Sequence, residues 1–191
     1  MRVFYPVSLN LVGRDCVVIG AADDREAVEK EAALRESGAD VRRIYDGAAL
    51  ADQDVSDAFF VISTPQDAVL SARLRALADR HRFLLCCIDQ PAFGFVAMTA
   101  IAKAGPVRVA ISTAGLAPRA GKILKEALQR AMDAPFARFI EALGRKREAA
   151  FERHPGPQGQ PARRKELLEA ANGFKVDVTF EYPEWFDDGQ R

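Results

Sequence analysis

The sequence predicts an α/β fold: a parallel sheet with helices on its faces, then a β-rich stretch and a small group of helices. Three observations predict it. Short apolar runs rich in β-branched residues alternate with amphipathic stretches over the first 90 or so positions. Strands separated by helices in this way pair in parallel, because a crossover helix returns the chain to the same end of the sheet. After Asp89 the alternation stops and hairpin-like and then helical patterns take over.

Each element follows from local chemistry. Cys16-Val17-Val18-Ile19 is a continuous apolar run, as a strand buried on both faces requires, and it ends at Gly20. Residues 23–37 are helix formers with Ala27, Val28, Ala32 and Leu34 on one side. Asp23 and Asp24 precede that helix as N-terminal signals, and Gly38 stops it. Strands follow at about 40–45 and 58–62, then a helix at 66–81 and a strand at 83–88. Beyond Asp89, residues 93–101 and 107–111 read as strands joined by Ala104-Gly105-Pro106. Pro118 opens a helix to about Met132, Pro135 another to about Arg153, and 162–172 is a last helix closed by Gly173. Residues 154–161 form a Pro/Gly loop, and 176–182 alternate like an edge strand. The expected divisions are 1–92, 93–133, 134–175 and an acidic tail, 176–191.

Composition narrows the function. The 191 residues are 49% hydrophobic and 28% charged, with 27 basic and 27 acidic side chains. A nucleic-acid binder carries a basic excess, so no nucleic-acid partner is expected. No apolar run approaches the ~18–20 residues of a membrane span, and no secretory signal is expected, since residues 1–12 lack a charged stretch followed by a long apolar core. The expectation is a cytoplasmic enzyme or binding protein. Cys16, Cys86 and Cys87 lie in apolar runs without metal-ligand spacing, so no metal site is expected. Charge is uneven: residues 119–175 hold 13 basic and 7 acidic side chains, and 176–191 hold 1 and 5. The basic segment can draw an anionic substrate or can be a solvated helix face.

In an open parallel sheet, ligands bind beyond the carboxyl ends of the strands. Gly20-Ala21-Ala22-Asp23-Asp24 is one such place: a dinucleotide-type turn keeping only its first glycine, or an ordinary strand–helix turn. Asp46 before Gly47 is positioned either to bond a ribose, favouring NAD over NADP, or to form a turn. Ser63-Thr64-Pro65 lines a cofactor cleft or caps the next helix. Asp89, leaving the fourth strand, is expected to be partly desolvated, which suits proton transfer; its alternative is a turn residue. Ser112-Thr113-Ala114-Gly115 and the helix after it, with Arg119 and Lys122, can hold an anion or form a wet basic cap.

Taken in order, these residues resemble the precorrin-2 dehydrogenases, the sirohydrochlorin-forming module of sirohaem synthesis. The resemblance rests on Phe4-Tyr5-Pro6-Val7-Ser8-Leu9 followed by 13–20, and on Cys87-Ile88-Asp89-Gln90-Pro91. It continues through 93–101 with Met98, through 109–118, and through 143–154 and 162–168. It covers about 4–173 and leaves out the tail. It implies a Rossmann-type domain, a β-rich dimerisation region, a helical C-terminal domain and a homodimer. It implies NAD-dependent oxidation of precorrin-2, with ferrous or cobalt ion as a further substrate for chelation. On the matched positions, Asp89 is the acid/base. Gly20–Asp24, Asp46, Gly47, Ser63 and Thr64 lie on the cofactor side. Ser112, Thr113, Gly115, Arg119 and Lys122 meet a substrate bearing eight carboxylates. The chain departs from the pattern mainly on the cofactor side, where Asp23 and Asp24 stand as an acidic insertion in the glycine turn. A non-redox tetrapyrrole-binding protein or chelatase on the same scaffold is the second expectation.

Overall fold

A computed structural model describes residues 4–186. Four parallel strands form the first sheet: β1 (Asp15–Ile19), β2 (Asp40–Ile44), β3 (Phe60–Ser63) and β4 (Leu84–Cys87), in the order β2-β1-β3-β4. Cys16 pairs with Val41 on one side and Phe60 on the other, and Phe60 pairs in turn with Leu84. Alternation along β1 divides the core. Val17 and Ile19 join Val61, Leu85 and the Leu70, Leu74 and Leu77 side chains of α2 (Ala68–His81). Cys16 and Val18 join Phe60, Ile62, Cys86 and the Ala27 and Leu34 side chains of α1 (Arg25–Glu36). From Cys16 onward β1, and with it β3 and β4, is therefore buried on both faces, which is why these strands read as apolar runs, whereas the edge strand β2 carries Arg42 and Arg43.

The helices start where their caps dictate. Asp24 caps α1 by accepting from the amides of Glu26 and Ala27, and Asp67 caps α2 by accepting from Val69 and Leu70. From β2 the chain crosses to β3 through a short 3₁₀ turn at Asp52–Asp54, flanked by buried Leu50 and Val55. Chain reversal from β1–β2 to β3–β4 puts a crevice beyond the carboxyl ends of β1 and β3.

A two-stranded antiparallel hairpin follows, β5 (Ala100–Ala104) and β6 (Val107–Ile111), and then α3 (Pro118–Ala131), α4 (Ala134–Arg153) and α5 (Gln160–Ala170). The strand expected over 93–101 is confined to its last residues. Phe95 and Val96 instead donate from their amides to the Leu85 carbonyl, folding 93–96 over the outer edge of β4. The edge strand expected at 176–182 does not form; the segment has no ladder partner among the described residues. Asp133 caps α4, with Pro135 in its first turn.

The chain divides into two compact units, one of residues to 100 with 110–124, the other of 101–109 with 125 onward. In the second, α4 and α5 are tied by Glu166, which accepts from Arg153 at 2.6 Å and bonds His154 at 2.7 Å. Among the described residues no helix is long and apolar enough to cross a membrane.

Candidate functional site

The first unit carries an open pocket of about 410 Å³ at the carboxyl end of β4. Its wall includes Cys86 to Asp89, Met98, and the Ser112 to Gly115 turn with Pro118 and Gly121. That volume falls in the range of small-molecule sites.

Asp89 enters the pocket through an unusual backbone. Its φ is +57°, a left-handed conformation that few non-glycine residues adopt. The turn is held by Ile88 donating to the Ser63 carbonyl at 2.8 Å and Gln90 donating to the Cys87 carbonyl at 3.2 Å. Gln66 Nε2 donates to Asp89 Oδ2 at 3.2 Å and orients the carboxylate. The side chain is exposed, so the partial desolvation expected at this strand exit is absent in the free protein.

Across the pocket, Ala114 at φ +52° and Gly115 at φ +78° make two consecutive left-handed residues. Ser112 Oγ accepts from the Ala114 amide at 3.3 Å, and the Leu116 amide donates to the Thr113 carbonyl. Nothing lies within 4 Å of a Cβ placed on Gly115, so its glycine serves the backbone angle alone. Pro118 and Gly121, one turn apart on α3, reach the pocket. Arg119 and Lys122 follow each of them directly; both are exposed, neither lines the wall, and neither is ion-paired among the described residues.

Two of the pocket residues were not among the site residues expected from the sequence. Glu26 comes from the first turn of α1, and Phe4 from the opening segment. Cys86 also lines the pocket, but burial pushes its thiol up to about 12, so it stays protonated and is not a nucleophile at neutral pH. Among the described residues no group of three or more His, Cys, Asp or Glu could hold a metal ion.

The expected cofactor side is arranged differently. Gly20 is buried at the end of β1, and a Cβ there would lie 2.8 Å from Ala27 Cβ and 2.9 Å from Asp24 Oδ2. Asp24 Oδ1 accepts from Glu26 N at 2.9 Å and Ala27 N at 3.2 Å, and Oδ2 accepts from the Thr64 hydroxyl. The Thr64 bond, helped by these amides, holds the Asp24 carboxyl below its usual range against the opposing effect of burial. Ala21, Ala22 and Asp23 are exposed. Asp46 Oδ1 accepts from the Ala48 amide at 2.9 Å in a local turn, and Gly47 presses on Leu70 so closely that a Cβ would meet it at 2.5 Å. Ser63 and Thr64 are both buried at the end of β3.

No protein-family model matches the chain. The siroheme synthase of Nitrosococcus oceani is 25% identical over 171 residues, 80% of this chain and 36% of that protein. The siroheme synthase of Gluconacetobacter diazotrophicus is 31% identical over 120 residues, 56% of this chain and 26% of that protein. The precorrin-2 dehydrogenase of Bacillus subtilis is 29% identical over 106 residues, 55% of this chain and 65% of that protein. The chain is homologous to the precorrin-2 dehydrogenase module of siroheme synthase. It spans about a third of the length of the siroheme synthases it matches. A solved structure titled SirC, precorrin-2 dehydrogenase, shares the fold, with a TM-score of 0.66 at 19% identity over 89% of this chain and 90% of that one.

Precorrin-2 dehydrogenases are NAD-dependent, and the Gly20–Asp24 turn does not fit the diphosphate of NAD. In a dinucleotide site the first-turn amides of the helix are open to the diphosphate. Here those of Glu26 and Ala27 are bonded to a carboxylate of the chain itself. At an effective dielectric of about 20, each further negative charge about 4 Å from Asp24 would meet roughly 4 kcal/mol of repulsion.

Proposed function

We propose that this chain binds a carboxylate-rich tetrapyrrole of siroheme biosynthesis in the Asp89 pocket, and that Asp89 accepts the protons the macrocycle gives up. The observation that carries the reading is Asp89 itself: a carboxylate on a left-handed backbone, oriented by Gln66, at the mouth of a pocket whose far wall is the Ser112–Gly115 turn. Strained backbone of this kind persists where the surrounding structure over-determines it, and it concentrates at functional sites. Arg119 and Lys122, exposed beside the pocket, supply cations for the substrate's peripheral carboxylates.

Two reactions of this substrate class use such a base. Insertion of a divalent ion, ferrous iron or cobalt, replaces two pyrrole N–H protons, and no electrons change hands. Oxidation of precorrin-2 to sirohydrochlorin removes a hydride and a proton, and the hydride needs an acceptor. The filled Gly20–Asp24 turn favours the first, because proton exchange with a metal ion as substrate needs no dinucleotide seat. The second reading, NAD-dependent oxidation, is supported by homology to the precorrin-2 dehydrogenase module.

Absorbance separates them. The pure protein is incubated with sirohydrochlorin and ferrous or cobalt ion, and separately with precorrin-2 and NAD. Metal insertion accelerated over the protein-free rate, with no NAD reduction in the second arm, is the expected result. Acceleration in neither arm, together with no spectral change on mixing protein and tetrapyrrole, overturns the tetrapyrrole reading.

A further inference from the structure

We propose that Asp24 is the residue that excludes dinucleotides from this chain, by occupying the position of their diphosphate itself. The inference bears on which reaction the site performs, and its test reads nucleotide binding alone, so it fails or stands apart from the tetrapyrrole reading.

Three features of the crevice between β1, β2 and β3 converge on it. The first is the cap. Asp24 Oδ1 takes the amides of Glu26 and Ala27, so the positive end of α1 is already met by an anion. The second is the anchor. Asp24 Oδ2 accepts from the Thr64 hydroxyl across from β3, with the two residues 40 apart in the chain. Gly20 lies against this bonded pair, and its missing Cβ makes room for Thr64, Ala27 and Asp24 Oδ2. In a dinucleotide turn the glycine admits a ligand's pyrophosphate. In this chain the same close approach admits a side chain of the protein.

The third feature is Arg43, on β2. Its side chain is only 4% exposed. Nε donates to the Gly20 carbonyl at 3.2 Å, and Nη2 donates to the Ala21 carbonyl at 2.7 Å. Nη1 pairs with Glu31 at 3.3 Å, and the guanidinium lies 5.6 Å from the Tyr45 ring centroid. Arg43 thus crosses from β2 to the β1 turn and pins the turn's carbonyls. In a nucleotide-bound Rossmann site the ribose sits at this end of β2, met by an acidic side chain. Asp46, the acid available, is turned to the Ala48 amide. Anion, anchor and clamp all come from the chain, and the turn stands assembled without a nucleotide.

The test is calorimetric titration of NAD, and separately of inorganic pyrophosphate, into the parent chain, Asp24→Gly and Asp24→Ser. Glycine leaves the amides of α1 open. Serine keeps a neutral cap oxygen and preserves the helix end, so it remains informative if the glycine variant folds poorly. The parent is expected to show no saturable heat for NAD up to about 1 mM. Both variants are expected to gain at least about tenfold in affinity for NAD and pyrophosphate. Hydrogen exchange of the amides at 21–27 should slow on adding NAD to the variants and stay unchanged in the parent. Micromolar NAD binding by the parent with slowed exchange at 21–27 would overturn the proposal. So would a folded Asp24→Ser variant with no gain in affinity.

Discussion

Replacing Asp89 separates its backbone role from its chemical one. At φ +57° an L side chain costs about 1–2 kcal/mol, less for Asp and Asn, and glycine escapes the cost. Asp89→Asn keeps the shape and still offers an oxygen to Gln66 Nε2, so its stability should stay within about 0.5 kcal/mol. In a chain of this length 1 kcal/mol is about 2–4 °C in Tm, so the Asn variant should melt within about 2 °C of the parent. Asp89→Ala keeps the left-handed cost and loses the Gln66 bond. It should fall by about 1 kcal/mol, or about 2–4 °C. Asp89→Gly also loses the Gln66 bond and adds about 0.4–1 kcal/mol of unfolded-state entropy but relieves the backbone, so it should finish between the parent and Asp89→Ala. Activity should order differently. None of the three side chains takes up a proton, so all three should lose about 10²–10⁴-fold in turnover. Metal insertion into sirohydrochlorin, followed by absorbance beside thermal melts, provides both readouts. A residue that only forms the turn predicts that activity tracks stability, with the Asn and Gly variants active and the Ala variant impaired. Parent-like turnover in a folded Asn or Gly variant would refute the chemical role.

Other outcomes follow from the same structure. Asp24 is held below its usual range first by Thr64 and then by the Ala27 and Glu26 amides, so the stability it adds is complete above the unfolded carboxylate's value near pH 4 and is lost as pH falls through its lower folded value. The Tm gap between the parent and Asp24→Asn should therefore shrink between about pH 7 and pH 3, and a gap independent of pH would contradict this origin. Leu74, fully buried against the sheet on α2, should cost about 2–5 kcal/mol on truncation to Ala. Val69, 81% exposed on the same helix, should cost under about 0.5 kcal/mol; equal losses in urea melts would mean that α2 does not pack as described. Arg119→Ala with Lys122→Ala should weaken tetrapyrrole binding and flatten its salt dependence, read by absorbance titration at two ionic strengths. Sedimentation at micromolar concentration should show a dimer, held through the region from about Phe93 to Met132 and the helices after it; a monomer would count against that interface.

Strands β1, β3 and β4 were legible in the sequence because they are buried on both faces. Cys16 to Ile19, Phe60 to Ile62 and Leu85 to Ile88 need apolar side chains in both directions, and this leaves continuous runs. The start of α1 was legible too, since Asp24 is a short acceptor placed where first-turn amides lack partners, whereas the cap of α2 is Asp67 and not the Ser63-Thr64 pair that the sequence offered. The left-handed turn at Asp89 was not, because an Asp-Gln-Pro sequence permits several backbone states and only the bonds at Ile88 and Gln90 select one. The expected strand at 93–101 failed for a related reason: its β-type residues were taken up by the edge of β4, a partner that no local pattern reveals. Most of all, the sequence placed Asp24 beside a glycine turn and left its direction open. Thr64, 40 residues on, and Arg43, on the neighbouring strand, decide that the carboxylate turns inward. Local composition determines which groups a turn carries; contacts between distant strands determine whether those groups face a ligand or replace it.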